Sequence, residues 1–299
     1  LKIISSHPDN HNIFGNISVS SLPTGQNLNL KNLTLVGRIF ASNSSLNIVR
    51  CYLSKDVNAT NPGGLDTQLT IVQSTLSGKL SSSLSRTWIG YSDLRQSYFE
   101  GKLEIVGNIF NGNGTGGIGL DINGNHTFAN IHNNIIHNFK SDNGGWSENC
   151  IGIRIDNGAR LKIFNNRINH NTNGSDRANR LHHTGIGILI KDTQSCLVYG
   201  NTFYDNRVDW GQDDQGAKKG SLHIYSISEN VLLRFNAFKE HVNNSIKPIA
   251  VFGAERLESI TDTTLSSGFL SNTTALANGK INKNAGNPSV LFNDHDGSR

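Results

Sequence analysis

Arg154 with Asp156, Lys191, and His223 with Tyr225 stand at alternate positions of three short segments, "IRID", "ILIK" and "LHIY", whose other places hold Ile or Leu. Lysine, histidine and tyrosine can each accept a proton when burial or a neighbour adjusts their pKa, and arginine can neutralise a carboxylate through its planar fork. A base near sugar C5 and a cation on the carboxylate are what β-elimination from a uronate requires. The candidate catalytic set is therefore Lys191, His223, Tyr225, His182 and His183 as bases, with Arg154 as neutraliser and Arg180 as a second cation. Hydrolysis would instead need two carboxyl groups placed across the bond.

Three long polar stretches lead into such segments: "FKSDNGGWSENC" (139–150), "TNGSDRANRLHHT" (172–184) and "RVDWGQDDQGAKKG" (207–220). An indole packs on the apolar face of a pyranose while polar neighbours take its hydroxyls, so Trp146, Trp210, Arg180, Asp156 and Asp213 form the candidate substrate-binding set. Plainer readings stand beside these. Both tryptophans could fold inward to anchor their loops. Arg154, Asp156 and Lys191 could be cross-strand ion pairs on a solvated sheet. Asp213 and Asp214 either bind Ca²⁺, the one cofactor considered, or solvate a loop. His126, His132 and His137 have no carboxylate at ligand spacing, so no metal site is assigned.

The elements that must position these residues form a repeat. "GLDINGNHTFANIHNNIIHN" (119–138), "GIRIDNGARLKIFNNRINHN" (152–171), "GILIKDTQSCLVYGNTFYDN" (187–206) and "SLHIYSISENVLLRFNAFKEH" (221–241) each read as strand, turn, strand, a single Asn, and a third strand; 249–268 follows loosely. The Asn positions are 134, 166, 201 and 236, with Thr263 last, at spacings of 27 to 35 residues, within the range of solenoid coils. Asparagine tolerates the left-handed backbone region, which suits it to a sharp bend, and stacked amides can hydrogen-bond along the axis. Leu120, Ile122, Ile153, Ile155, Ile188, Ile190, Leu222 and Ile224 should face inward from the first strands. Outward, Asp121, Arg154, Leu189 and His223 should form one rank, and Asn123, Asp156, Lys191 and Tyr225 the next. Upstream the signature thins, with Arg38, Cys51, Ser74, Ser92 and Asn108 expected at the bend, either in minimal coils or as successive strands of one coil.

This pattern resembles the right-handed parallel β-helix of the pectate-lyase-like superfamily, over residues 117–268. The resemblance implies an all-β solenoid of three short parallel sheets with an Asn ladder at one bend. The solenoid is expected over 1–268, with 269–299 an irregular Asn/Gly-rich tail or cap. "GQDDQG" (211–216) is similar to the paired aspartates of polygalacturonase-type hydrolases, but their Asn-Thr-Asp, Gly-His-Gly and Arg-Ile-Lys do not follow here in that order.

Composition agrees with short strands and tight turns: 40 of the 299 residues are Asn and 31 are Gly, with no Met. The net charge of +4 comes without a block of like charge, so no nucleic-acid arm is expected. Three cysteines allow at most one disulfide, and no apolar run reaches the length of a membrane span. No signal peptide or initiator Met heads the chain, which suggests a mature or trimmed segment. The expected protein is secreted, or displayed on a cell or virion surface. It binds and cleaves or modifies a polysaccharide, an acidic one first, as a polysaccharide lyase would. The alternative is a non-catalytic stalk, adhesin or phage tailspike body that recognises surface glycans. It would be a monomer, or a homotrimer if a tailspike.

Overall fold

Strands of two to seven residues cannot bury an apolar face alone, so each must find its counterpart in the next coil. In the computed structural model they do so in parallel and in register. The structure describes residues 2–4, 12–124, 128–141, 150–158, 160–173, 186–191, 193–204, 206–208, 222–225, 231–234, 236–239, 249–252, 257–261, 264–265 and 270–271. Among these, three parallel sheets each follow a path of eleven strands, the chain passing from sheet to sheet in turn, and two short strands, Thr172–Asn173 and Arg207–Val208, lie beside the third path. Sheet 1 contains Gly117–Asn123, Cys150–Asp156, Ile186–Lys191 and Leu222–Tyr225. Sheet 2 contains Phe128–His132, Arg160–Phe164, Ser195–Tyr199 and Val231–Arg234. Sheet 3 contains Ile135–Ser141, Arg167–Asn169, Thr202–Tyr204 and Ala237–Lys239. The chain is a right-handed parallel β-helix.

The inward rows stack as the alternation predicts. Leu120, Ile122, Ile153, Ile155, Ile188, Ile190 and Leu222 are fully buried, as are Ile163 and Val198 from sheet 2 and Ile136, Ile168 and Phe203 from sheet 3. Burial of a side chain of this size contributes roughly 1.5–3 kcal/mol, and here each coil supplies the cover for its neighbours. The side chains of Ile224 and Val251 lie outside the described residues, as does Thr263. A last strand, Leu270–Ser271, pairs with Ile249–Ala250; residues 272–299 lie outside the described residues.

The Asn ladder runs through the corner between sheets 2 and 3. Asn134 Nδ2 donates to Asn166 Oδ1, Asn166 Nδ2 to Asn201 Oδ1 and Asn201 Nδ2 to Asn236 Oδ1, each at 3.0 Å. Each Oδ1 also accepts the backbone N–H of the preceding ladder residue, and each Nδ2 also donates to a core carbonyl, as Asn166 does to Ile131 at 2.9 Å. An amide buried with both donor hydrogens and two acceptor sites filled carries no desolvation debt.

The left-handed residue at this corner is the one before the ladder position, not the ladder Asn itself. Asn133, Asn165 and Gly200 have φ of 57°, 52° and 63°. In "NN" the first asparagine turns the chain and the second bonds along the axis. The same offset explains the amino-terminal coils. Arg50, Gln73 and Tyr91 take the positive φ, and Cys51, Ser74 and Ser92 follow. There the ladder changes chemistry: Ser92 N donates to Asn108 Oδ1, Ser74 N to Ser92 Oγ and Cys51 N to Ser74 Oγ. The upstream coils are complete, with three strands in as few as 16 residues. Arg38 is not at this bend. Asn32, with φ of 54°, precedes Leu33, which occupies the ladder position. Arg38 lies instead between Thr34–Val36 of sheet 3 and Ile39–Ser42 of sheet 1.

Cys51, Cys150 and Cys196 are buried, and none is in a disulfide. No helix of the described residues is long and apolar enough to cross a membrane.

Candidate functional site: the outer face of sheet 1

Register decides which outward side chains meet. Tyr98 pairs with Asp121, Asp121 with Arg154, Arg154 with Leu189 and Leu189 with His223; beside them Asn123 pairs with Asp156 and Asp156 with Lys191. The expected register therefore holds from Asp121 to His223 in the first rank and from Asn123 to Lys191 in the second, about 4.8 Å from coil to coil. The backbones of His223 and Tyr225 lie in this sheet. Trp146, His182, His183, Arg180, Trp210 and Asp213 lie outside the described residues, as does most of each of their loops.

Arg154 closes a two-pronged ion pair on Asp121 of the preceding coil, Nε to Oδ1 at 2.8 Å and Nη2 to Oδ2 at 2.5 Å. That bond raises the guanidinium pKa above its ordinary value despite partial burial. Lys191 Nζ lies 3.7 Å from Asp156 Oδ2. Tyr98 donates to Glu100 Oε1 at 2.5 Å, and its phenol is pushed up to about 12, by burial first and then by this carboxylate. Cation and carboxylate are thus matched across neighbouring coils, and the hydroxyl is held protonated. A groove of about 450 Å³ opens alongside, lined by Lys79, Ser81, Gln96, Tyr98, Ile118 and Asp121.

Leu189 departs from its expected role in an exposed rank. It is buried, in an apolar cluster with Ile151 and Ile186 that Ile118 joins and that is separate from the main core. A stack of glycines sets which isoleucines join it. A Cβ on Gly119 would meet the Gly152 carbonyl and the Phe139 ring at 2.7 Å, and one on Gly152 would meet the Gly187 carbonyl at 2.7 Å and Ile168 at 3.0 Å. These glycines face the interior next to Leu120 and Ile153, which also do, so the alternation slips by one and Ile118, Ile151 and Ile186 leave the core rows.

A second amide ladder lies where the chain leaves sheet 3. Asn171 Nδ2 donates to Asn206 Oδ1 at 2.8 Å, Asn206 Nδ2 to the Ile168 carbonyl at 2.8 Å, and Phe139 N to Asn171 Oδ1 at 3.3 Å. Both asparagines are fully buried. Their signal in the sequence was an Asn five residues after each ladder Asn, in "NRINHN" and "NTFYDN". Beyond it Lys140 pairs with Thr172 and Thr172 with Arg207, so the points where the long loops depart are stacked.

His132 is held by Glu104 of the preceding coil, Nε2 to Oε1 at 2.7 Å, and its ring stacks on Phe164, which stacks on Tyr199. No group of three metal-ligating side chains occurs among the described residues.

Compared with known proteins, the chain matches no family model, and no match to it was found among curated proteins or solved structures.

Proposed function

We propose that the protein is a glycan-recognising β-helix whose outer face of sheet 1 receives a polysaccharide. The observation that carries this reading is the pairing of the two candidate catalytic cations described on the face: Arg154 is engaged by Asp121, and Lys191 lies beside Asp156. A general base must be free to take a proton, and a neutraliser must be free to meet the substrate carboxylate. Paired charges, a protonated tyrosine and amides instead offer fixed donors and acceptors to sugar hydroxyls. Secretion, or display on a cell or virion surface, suits this role. Solution mass then separates a monomer from a tailspike-like homotrimer.

Eliminative cleavage of an acidic polymer is the second reading. What favours it is the register that puts His223 in the rank of Asp121 and Arg154. A panel of alginate, pectate, chondroitin and heparinoid, followed both for binding and for the ultraviolet absorbance of a 4,5-ene uronate, decides between the two. We expect binding without unsaturated product, weakened several-fold by Tyr98→Ala. Accumulating unsaturated product that His223→Ala abolishes would overturn the recognition reading in favour of the lyase.

A further inference from the structure

The outer face of sheet 2 differs from that of sheet 1 in its charge balance. Along one rank Arg86, Lys102, Phe128 and Arg160 are consecutive partners, and along the next Trp88, Glu104, Asn130 and Lys162 are. They line an open groove of about 740 Å³ that runs along the helix axis. Arg86 is paired with Asp66 at 2.6 Å, and Glu104 is occupied by Asn130 and His132. Lys102, Arg160 and Lys162 are exposed, and among the described residues no carboxylate pairs with any of them. Three unmatched cations thus lie within three coils, about 10 Å of axial length.

Between them is an aromatic floor. Trp88 turns along its own strand onto Gly90: a Cβ there would come within 2.6 Å of the benzo ring, so a larger residue would push the indole from this position. Phe128 stands between Lys102 and Arg160 with 42% of its surface exposed. A flat, pre-positioned indole offers a sugar ring a stacking surface with little ordering cost, and flanking cations supply the contacts that an anionic substituent needs.

We propose that this face is a second binding site, for an anionic polysaccharide bearing carboxylate or sulfate groups, laid along the helix axis across Trp88, Lys102, Phe128, Arg160 and Lys162. Charge complementarity identifies the occupant: Lys102, Arg160 and Lys162 stand together on one face without a counter-charge, whereas Arg154 and Lys191 on sheet 1 are each beside an aspartate. The strip stands independently of the recognition surface proposed on sheet 1.

The test is binding of the full chain to polygalacturonate, dextran sulfate, uncharged dextran and oligo(dT), at low and at moderate salt. The variants are the triple Lys102→Glu/Arg160→Glu/Lys162→Glu, Trp88→Ala, and Tyr98→Ala on sheet 1. The triple variant should weaken polygalacturonate or dextran sulfate binding by about tenfold or more and flatten its salt dependence. Trp88→Ala should weaken it with the salt dependence kept. Circular dichroism and thermal melting confirm that each variant keeps the fold. Preference between the two polymers distinguishes carboxylate from sulfate. Binding lost only in Tyr98→Ala overturns this inference and leaves the sheet 1 reading standing; binding lost only in the sheet 2 variants does the reverse. Tighter binding to oligo(dT) that the triple variant abolishes overturns the choice of polysaccharide, and absence of binding to every polymer overturns both sites.

Discussion

Arg154 and Asp121 lie one coil apart and share two parallel hydrogen bonds, with the arginine side chain 33% exposed and the aspartate 14%. A planar fork on a carboxylate in this partly desolvated setting holds two coils in register as well as neutralising both charges. A double-mutant cycle of Arg154→Ala and Asp121→Ala should give a coupling of about 1–2 kcal/mol in chemical denaturation. Arg154→Lys should recover little of it, because an ammonium cannot reproduce the two-pronged geometry. A coupling indistinguishable from zero would make the pair incidental to stability.

The ladder predicts a gradient of sensitivity. Asn166→Ala removes an amide that takes part in four hydrogen bonds, stranding donors on Asn134 and acceptors on Asn201 and Ile131. With about 1–3 kcal/mol for each buried group left unpaired, the loss should reach roughly 3 kcal/mol or more. Ser74→Ala, where one hydroxyl links Cys51 N to the Val72 carbonyl, should cost about a third of that. Thermal melts of the two variants side by side provide the comparison.

Gly152→Ala tests the glycine stack. The added methyl would press on the Gly187 carbonyl at 2.7 Å and on Asn171 Nδ2 and Ile168 at 3.0 Å, which are backbone, ladder and core. None of these can move without disturbing a neighbouring coil, so a loss of about 1–3 kcal/mol is expected. An unchanged melting temperature would show that sheet 1 can shift as a unit.

His137 gives the fold a pH dependence of known sign. Burial, with His170 and Arg167 nearby, depresses its pKa below the ordinary histidine value. The folded chain therefore resists protonating it where the unfolded chain does not, and its contribution to stability is lost as pH falls from about 6.5 toward the depressed value. His137→Gln should flatten the stability profile through that window, as read from denaturation midpoints at successive pH values. A variant with the wild-type slope would assign the effect to another group.

Much of the architecture was legible in the sequence because its determinants are local. Period-two rows such as Ile153 and Ile155 over Leu120 and Ile122 fix which face is buried, and a polar residue recurring at one corner fixes the coil. Arg38 was misplaced because an apolar residue, Leu33, occupies the ladder position in that coil and the alternation on either side is too short to set the phase. The left-handed residue was attributed to the second Asn of "NN", since φ leaves no trace in composition when both candidates are asparagine. The cluster around Leu189 was not legible, because Ile118, Ile151 and Ile186 join it through a slip in alternation at three glycines that meet only after the chain has wound twice. The sheet 2 strip was missed for a related reason. Trp88 lies in a coil with little polar loop to draw attention, and its partners Lys102, Arg160 and Lys162 come from different turns.

One ladder bond spans 16 residues and another spans 35, yet each joins adjacent strands at the same spacing. Chain content and axial advance are therefore uncoupled. The molecule behaves as a ruler whose graduations stay fixed however much polypeptide hangs from each mark, so material grafted between Ser141 and Cys150 would thicken the shaft locally and leave its length untouched.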